Sequence, residues 1–481
     1  MKTSPKRNLI YLVALIAASA AALVLAARGD MARQAAASPP VYRGGHSGIL
    51  GMSAHLVQQK VLRGSQGTIG MELVLKTDAV PADGKSPVQA VDLVVVLDRS
   101  GSMNGAKISD ARHAVLDLIA RLSAHDRLAL VSYAEGVREH FGLLPVDSDN
   151  RPSMTSAVRR MGAGGGTNLG AGLNAGIRLL EQSAGNGRRG KLILISDGLA
   201  NRGIVDPGQL GEMAAAAVSG EFAVSTVGVG TEFNEFLMTT IADRGAGNYH
   251  YLDHPAAFAA VFQKEFHLSR HAVATGLTVS VPASPGVRLV DASGYPLTRT
   301  AEGTRFHPGS LGSGQTRRLY LTFQVPTGTT GSWELNAPSV SYRYGGMEYQ
   351  VTLSDRFTIA CVADEQEVIG SIDRSSWQDK VVQEDFNRLR QEVAADIKSG
   401  RKDRAIHRID SYARRQSNIN SAVQSEMVRD NLDRDVRELR ETVEDTFAGA
   451  PAAVEQKQKS AAKSLQYRGY SGRRMKSSQP D

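Results

Sequence analysis

The sequence predicts an α/β fold, a doubly wound and mostly parallel sheet, flanked by an antiparallel β-sandwich and followed by a charged helical region. Unbroken apolar runs rich in β-branched residues recur through residues 91–229, as in strands that are covered on both faces. Helical patterns separate these runs, which is typical of doubly wound sheets. From residue 270 onward, apolar and polar residues alternate between turns rich in Pro, Gly and Ser, as in antiparallel sheets.

The elements of the predicted parallel sheet follow one another regularly along the chain. Its strands are the four apolar runs Val91–Leu97, Arg127–Ala134, Lys191–Ile195 and Phe222–Val229. Its helices are Gly105–Ser123, Asn168–Gln182, Pro207–Ser219 and Asn234–Asp243. Folds of this kind bind ligands where the carboxyl ends of the strands meet, so the segment after each strand is a candidate site.

Composition excludes several classes of protein. Of 481 residues, 42% are hydrophobic and 22% are charged, which is enough apolar material for one or two cores. A single cysteine, Cys361, excludes an internal disulfide framework and a four-cysteine metal site. The net charge of +7 arises at the two ends, because residues 1–33 and 450–481 hold the excess Lys and Arg. We therefore expect no nucleic-acid partner.

The N-terminus has the features of an export signal. Lys2, Lys6 and Arg7 precede a continuous apolar run over residues 9–27, which is long enough to cross a bilayer as a helix. The positive-inside rule places the three charges in the cytoplasm. We expect a cell-membrane protein with one N-terminal span and its bulk in the periplasm or outside the cell. Secretion after cleavage of this segment is the alternative.

Three segments supply hard oxygen donors at predicted strand or helix ends. Asp98, Ser100 and Ser102 form a D-x-S-x-S motif after the first strand, Thr167 lies in a glycine-rich loop, and Asp197 belongs to an S-D-G motif. Two carboxylates and three hydroxyls suit Mg²⁺, with Mn²⁺ or Ca²⁺ as alternatives, better than zinc or copper. The competing interpretation is that the aspartates are helix caps and the serines are turn residues, without any metal.

The three motifs, in this order, resemble the metal-ion-dependent adhesion site of von Willebrand factor type A domains. The resemblance implies that Ser100, Ser102 and Thr167 bind the metal directly, and that Asp98 and Asp197 act mostly through bound water. It also implies one open metal position for a Glu or Asp carboxylate of a protein partner. A shift of the last helix of the domain on ligation is implied as well.

We expect no enzymatic activity and no catalytic residues. The sequence contains no Walker A loop, no G-x-S-x-G elbow and no H-E-x-x-H helix. Two-metal phosphoryl transfer needs bridging carboxylates, and the motifs supply ligands for one metal only. Two alternatives stay open. One is a metal-dependent hydrolase with a second carboxylate cluster near Asp98 and Asp197, and the other is a structural assembly factor whose metal only stabilises the fold.

Strands before and after the α/β domain are predicted to form the sandwich together. Apolar and polar residues alternate in Thr68–Lys76, as they do in the segments of residues 267–362. Because such strands lie on both sides of the α/β domain in the sequence, we expect this domain to be inserted into, or wrapped by, the sandwich. This arrangement resembles bacterial relatives of the inter-alpha-trypsin inhibitor heavy chains and of the calcium-activated chloride channel regulators. In residues 363–448, apolar positions recur every three or four residues, either to pack on the sandwich or to mediate self-association.

The whole chain is expected to consist of six consecutive regions. They are a signal or anchor helix with its linker (1–45), a β segment that packs with the sandwich (46–87), a von Willebrand factor type A domain (88–266), a β-sandwich (267–362), a helical region (363–448) and a flexible basic tail (449–481). The combined prediction is an adhesion or scaffold protein of a bacterial-type cell envelope, which binds a protein partner through one Mg²⁺.

Overall fold

The structure is a computed structural model, and it describes residues 43–80, 90–183, 188–219, 222–353, 356–474 and 476–477. The expected membrane anchor, residues 9–27, lies outside the described residues. Among the helices that are described, none is long and apolar enough to cross a membrane.

Four strands precede the α/β domain. They are β1 (Arg43–Ser47), β2 (Leu50–Leu56), β3 (Lys60–Leu62) and β4 (Thr68–Thr77). Strand β4 is buried over most of its length and lies in the middle of a sheet. Besides β1, β2 and β4, the strands of this sheet come from the part of the chain that follows the α/β domain.

The α/β domain is the predicted doubly wound sheet with helices on both faces. Its strands are β5 (Val91–Asp98), β6 (Arg127–Tyr133), β7 (Val137–Pro145), β8 (Arg189–Ser196), β9 (Phe222–Val229) and β10 (Ala246–Leu252). Its helices are α1 (Ala106–Arg121), α2 (Arg151–Arg159), α3 (Leu169–Glu181), α4 (Pro207–Ser219), α5 (Glu235–Arg244) and α6 (Phe258–Arg270), with 3₁₀ turns at Gly101–Met103 and Pro255–Ala257. The strand order is β10-β9-β8-β5-β6-β7, and only the edge strand β7 is antiparallel.

The central strand β5 shows why the sequence predicts this sheet. All of its residues are buried, since helices cover both faces. Successive side chains point to opposite faces, so Leu93 and Val95 pack in one apolar core while Val94 and Val96 pack in the other. The unbroken apolar runs are therefore buried on two sides, and the predicted fold class is confirmed.

A buried charged cluster holds the last helix of the domain, α6, against the sheet. Glu265 forms ion pairs with Lys191 at 2.6 Å and with His250 at 2.7 Å, and it accepts hydrogen bonds from Ser225 and Asn248. Burial acts to raise the pKa of Glu265, but Lys191 and His250 outweigh it and hold this pKa well below its usual range. The position of α6 is thus fixed by side chains of β8, β9 and β10.

The following segment supplies most of the sandwich. Its strands are β11 (Ala272–Pro282), β12 (Arg288–Ala292), β13 (Thr298–Thr300), β14 (Gly303–Phe306), β15 (Leu311–Gly312), β16 (Thr316–Gln324), β17 (Gly331–Leu335), β18 (Ser339–Tyr344), β19 (Met347–Thr352) and β20 (Phe357–Val362). One sheet has the order β1-β2-β4-β16-β12, the second has the order β13-β14-β11-β18-β19 with β15 beside β11, and a small third sheet has the order β17-β20-β3.

Strand β4 pairs antiparallel with β16 over the full length of β16, from Thr68 opposite Gln324 to Lys76 opposite Thr316. The α/β domain therefore lies in the chain between two neighbouring strands of one sheet. The two large sheets enclose a single apolar core, in which Cys361 is also buried.

The C-terminal region is helical. Its helices are α7 (Glu365–Gly370), α8 (Arg374–Asp379), α9 (Phe386–Lys398), α10 (Lys402–Val423), α11 (Glu426–Asp430), α12 (Arg437–Thr446) and α13 (Pro451–Arg473), with π-helical segments at Lys380–Asp385 and Asn431–Val436. The short strand β21 (Lys476–Ser477) pairs with β16. The apolar stripe of this region, represented by Val428, Leu439 and Val443, packs in a core within the chain. Self-association through the helical region stays a prediction.

The structure corrects the expectation of a flexible tail from residue 449, because most of this segment forms the packed helix α13. Tyr470 is buried and donates a hydrogen bond to Asp243 at 2.7 Å. Lys463 donates to the carbonyl of Phe233 at 2.7 Å and pairs with Glu235 at 2.9 Å. Composition suggested a solvated tail, but acidic residues of the α/β domain neutralise its basic side chains and allow their burial.

Candidate metal centre

All five predicted metal ligands lie at the carboxyl edge of the parallel sheet. Because β5 and β8 are adjacent and parallel, Asp98 at the end of β5 and Asp197 just after β8 lie at the same edge. Both aspartates are fully buried, Ser100 and Thr167 are nearly so, and Ser102 is exposed. The cluster is thus closed toward the protein and open toward solvent.

Hydrogen bonds join the first and third motifs. Ser102 Oγ donates to Asp197 Oδ1 at 2.7 Å, and Ser100 Oγ lies 3.1 Å from Ser102 Oγ. The other aspartate, Asp98, accepts from the backbone N–H of Ser100 at 2.8 Å and from Ser196 Oγ at 2.9 Å. These bonds connect the side chains of the two motifs to one another.

Thr167 belongs to the same cluster. A Cβ added to Gly198 would lie 3.3 Å from Ser102 Oγ and 4.0 Å from Thr167 Oγ1, so both hydroxyls border this glycine. The N–H of Thr167 donates to Asn201 Oδ1 at 3.0 Å, and the N–H of Asn201 donates back to the carbonyl of Thr167 at 3.1 Å. This reciprocal pair fixes the threonine beside the other two motifs.

The glycines of the second motif have a backbone role. Gly165 has a φ of 91°, a conformation that glycine adopts without strain. Its carbonyl accepts a hydrogen bond from the N–H of Gly101 at 3.0 Å, and the N–H of Gly164 donates to the carbonyl of Arg99 at 2.7 Å. The loop is therefore joined to the D-x-S-x-S turn by main-chain bonds.

The site has an unfavourable concentration of negative charge. Burial raises the pKa of Asp98, and the nearby charge of Asp197 raises it further, although hydrogen bonds from Ser100 and Ser196 act in the opposite direction. The ammonium of Lys107 contacts Asp197 Oδ2 and partly neutralises this charge.

The sequence-based site does not include three residues that the structure assigns to it. They are Lys107, Ser196 and Asn201, which pair with Asp197, Asp98 and Thr167, respectively. The sequence contains one signal for Lys107, which lies in the first turn of a predicted helix. A cation at this position opposes the helix dipole, so a compensating anion is expected nearby. No comparable signal marks Asn201, since its role depends on how the loop after β8 folds.

The donor set fits a hard divalent cation. The five predicted ligands offer only oxygen atoms, and two fully buried carboxylates are stabilised by a positive charge placed between them. In the described part of the chain, no group of three or more His, Cys, Asp and Glu side chains is positioned to hold a metal. Hydroxyls of Ser100, Ser102 and Thr167 would therefore have to complete the coordination.

The fold is that of a doubly wound α/β domain, and the cluster lies at the carboxyl edge of the sheet, where ligands bind in folds of this class. Residues 92–264 match the family model of the von Willebrand factor type A domain, so this part of the chain is a von Willebrand factor type A domain.

Two relatives illustrate the similarity in sequence. An uncharacterized protein, YfbK of Escherichia coli (strain K12), is 31% identical over 219 residues, which cover 44% of this chain and 37% of the relative. Inter-alpha-trypsin inhibitor heavy chain H1 of Sus scrofa is 29% identical over 174 residues, which cover 34% of this chain and 19% of the relative. The matches thus span well under half of these relatives.

Solved structures extend the similarity in fold to most of the chain. A von Willebrand factor type A protein from Catenulispora acidiphila has a TM-score of 0.62 at 18% identity, over 90% of this chain and 97% of that chain. The ArnB paralog VWA2 from Sulfolobus acidocaldarius has a TM-score of 0.50 at 14% identity, over 87% of this chain and 98% of that chain. The combination of α/β domain, flanking sheets and helical region is therefore not unique to this protein.

Proposed function

We propose that the chain is an adhesion or scaffold protein that binds a protein partner through one Mg²⁺ at Asp98, Ser100, Ser102, Thr167 and Asp197. The observation that carries this proposal is the convergence of the three motifs. Two buried carboxylates and three hydroxyls from distant segments form one oxygen cluster, and the exposed Ser102 leaves it open to solvent. The von Willebrand factor type A family supports a role in protein binding.

The roles of the residues are those that the resemblance to the metal-ion-dependent adhesion site implies. Ser100, Ser102 and Thr167 would bind the metal directly, while Asp98 and Asp197 would supply negative charge and hold bound water. Mg²⁺ keeps open or water-filled positions when few carboxylates bind it, and it then attracts an anionic ligand. An Asp or Glu side chain of a partner would supply such an anion by coordination, and no covalent bond would be made or broken.

Metal binding is tested by calorimetric titration of Mg²⁺, Mn²⁺ and Ca²⁺ into the purified chain. We expect saturable binding at one site, which Asp98→Ala and Thr167→Ala each abolish while the protein stays folded by circular dichroism. Asp149→Ala, which removes an exposed carboxylate elsewhere in the domain, is the matched control and retains binding. A folded parent that binds none of the three ions contradicts the proposal.

Partner binding is tested with immobilised peptides that carry a central Glu, each matched to a peptide with Gln. We expect retention of Glu peptides in Mg²⁺, loss in chelator, and loss in the Thr167→Ala variant. Equal retention of the Glu and Gln peptides would show that no carboxylate is recognised. Hydrolysis of p-nitrophenyl phosphate that depends on Asp98 would instead favour the metal-dependent hydrolase.

We further propose that the protein is held in the cell membrane by residues 9–27, with the bulk of the chain outside the cytoplasm. Support comes from the sequence, in which Lys2, Lys6 and Arg7 precede the apolar run. Protease added to intact spheroplasts should degrade the domain, whereas a cytoplasmic control protein survives. Protection of the domain until the cells are lysed would contradict this orientation.

A further inference from the structure

Exposed apolar side chains are concentrated at the edge of the sheet that carries the proposed metal centre. Among the described residues, eight large apolar residues are exposed, and four of these lie between β8 and α4 or in the first turn of α5. The four are Leu199, Ile204, Val205 and Phe236, here called the apolar patch, and between 42% and 65% of each is exposed. A single exposed apolar residue needs no explanation, whereas a group at one place marks a contact surface.

The apolar patch begins directly beside the predicted metal ligands. Leu199 follows Gly198, and a Cβ on Gly198 would lie 3.3 Å from Ser102 Oγ and 4.0 Å from Thr167 Oγ1. Neighbouring Cα atoms along the chain are about 3.8 Å apart. Leu199 is therefore only one residue away from two of the predicted metal-binding hydroxyls, and it is still 58% exposed.

Ile204 and Val205 belong to a loop that is held against the loop carrying Thr167. The backbone N–H of Arg202 donates to the carbonyl of Thr167 at 3.3 Å. Gly170 lies in the first turn of α3, and a Cβ there would lie 3.2 Å from Ile204 Cβ. The glycine thus permits close packing of Ile204 on α3. Because these contacts fix the loop, little ordering is needed when a partner covers the two side chains.

Phe236 extends the patch onto the neighbouring helix. Helices α4 and α5 are in contact, since a Cβ on Gly211 of α4 would lie 2.9 Å from Thr240 Cγ2 of α5. Both helices follow parallel strands of the sheet, so both begin at its carboxyl edge. Val205, two residues before α4, and Phe236, in the first turn of α5, therefore lie at the same end of this helix pair.

The C-terminal helices hold the start of α5 in place. Glu235, the residue before Phe236, pairs with Lys463 at 2.9 Å and also with Lys398. Lys463 donates in addition to the carbonyl of Phe233 at 2.7 Å. Phe233 is buried, whereas Phe236 is 65% exposed. The exposure of Phe236 therefore occurs at a helix end that ion pairs fix.

We propose that the apolar patch and the metal centre form one recognition surface, for a partner segment in which a large apolar side chain lies within three residues of the metal-bound Asp or Glu. This inference rests on the proposed function, and it specifies the residues beside the carboxylate. An extended segment advances about 3.3–3.6 Å per residue, so such a side chain reaches the patch that begins at Leu199. Burial of the apolar surfaces of both partners then favours this segment over other exposed acidic ones.

Fluorescence anisotropy with labelled peptides and the full chain measures both parts of this surface. Each peptide has a central Glu in a background of Gly and Ser, with one Leu at any of the three positions on either side. Comparison peptides carry Ser instead of Leu, Gln instead of Glu, or both. In Mg²⁺, we expect at least one Leu position to tighten binding about tenfold over the Ser peptide, through partial burial of one apolar side chain. The Gln peptides should not bind.

Variants then assign this gain to the apolar patch. In the double variant with Val205→Ser and Phe236→Ser, the Leu and Ser peptides should bind equally, and both should still require Mg²⁺. Both residues are exposed, so the melting temperature should match that of the parent. Met347→Ser is the matched control, because Met347 is 60% exposed on strand β19 of the sandwich. This control should keep the tenfold preference for Leu.

The outcomes separate this inference from the proposed function. If Glu peptides require Mg²⁺ but no Leu position tightens their binding, the proposed function stands and the inference is wrong. Equal binding of the Leu peptides with Glu or Gln, or in chelator, would show that the patch acts apart from the metal. If no peptide binds in Mg²⁺, both proposals fail. Self-association of the parent that the double variant loses, measured by sedimentation velocity, would assign the patch to a second copy of the chain instead.

Discussion

The ammonium of Lys107 contacts Oδ2 of Asp197, so a fixed positive charge lies within the proposed metal site. Asp197 is fully buried, whereas Lys107 retains 30% of its side-chain exposure. A lysine on this carboxylate stabilises the site without metal, but it repels an arriving divalent cation. The same contact therefore affects stability and metal affinity in opposite directions.

We predict that Lys107→Met tightens Mg²⁺ binding about five- to tenfold, since removal of a like charge favours the cation. The metal-free protein should become less stable, because a buried carboxylate loses its partner. Calorimetry and thermal unfolding in chelator measure the two effects. Lys264→Met, at an exposed lysine of α6, is the control. Weaker or unchanged Mg²⁺ binding in Lys107→Met would contradict the prediction.

Replacement of Glu265 with Gln should lower the free energy of unfolding by about 3–5 kcal/mol, because Lys191 and His250 then remain buried beside a neutral amide. Denaturant unfolding measures the loss. Glu348→Gln is a suitable control, because Glu348 forms an exposed pair with Arg343 at 2.8 Å and should cost about 0–1 kcal/mol. Similar losses in both variants would mean that the buried cluster contributes little.

Glu265 also predicts acid sensitivity. Its pKa is lowered in the folded state, so its contribution to stability is fully present above the unfolded pKa of about 4.3. The contribution is lost as the pH falls from that value through the folded pKa. Glu265→Gln should therefore show a shallower loss of stability below about pH 4.3 than the parent. Parallel stability curves for the two proteins in this range would be inconsistent with a lowered pKa.

His140 should titrate far below the usual range for histidine. Burial, with smaller contributions from Arg138 and Arg99, lowers its pKa to about 4, and its Nε2 lies 2.8 Å from Ser132 Oγ. The unfolded chain then binds one more proton between the folded pKa and about 6.5, so stability falls as the pH decreases through this window. His140→Gln should reduce that slope, and proton NMR of the imidazole should show no protonation at pH 5.5. A titration near 6.5 would rule out the lowered pKa.

Helix α13 should stabilise the α/β domain through Arg474, the residue that directly follows this helix. The Arg474 guanidinium pairs with Asp243 and stacks on Tyr470 and Tyr295. Arg474→Ala leaves the buried Asp243 without this cation and should lower the free energy of unfolding by about 3 kcal/mol. Lys457→Ala on the exposed face of α13 should cost at most about 1 kcal/mol. If Arg474→Ala and Lys457→Ala caused equal and small losses of stability in a thermal-unfolding assay, the result would support the flexible tail that composition predicts.

The sequence by itself determined the fold class, and it predicted that Asp98 and Asp197 lie at one edge of the sheet. Central strands such as β5 are apolar without interruption because both faces are covered, and this pattern is local in the sequence. The D-x-S-x-S and S-D-G motifs directly follow their strands, so strand adjacency alone brings Asp98 and Asp197 to one edge.

The tertiary structure decided the features that depend on partners far away in the sequence. The basic tail is a packed helix because Asp243 and Glu235, more than two hundred residues earlier, neutralise its cations. Lys107 lies in the proposed metal site only because α1 begins beside Asp197. A local pattern predicts burial and secondary structure, whereas charge pairing between distant segments is set by how those segments pack.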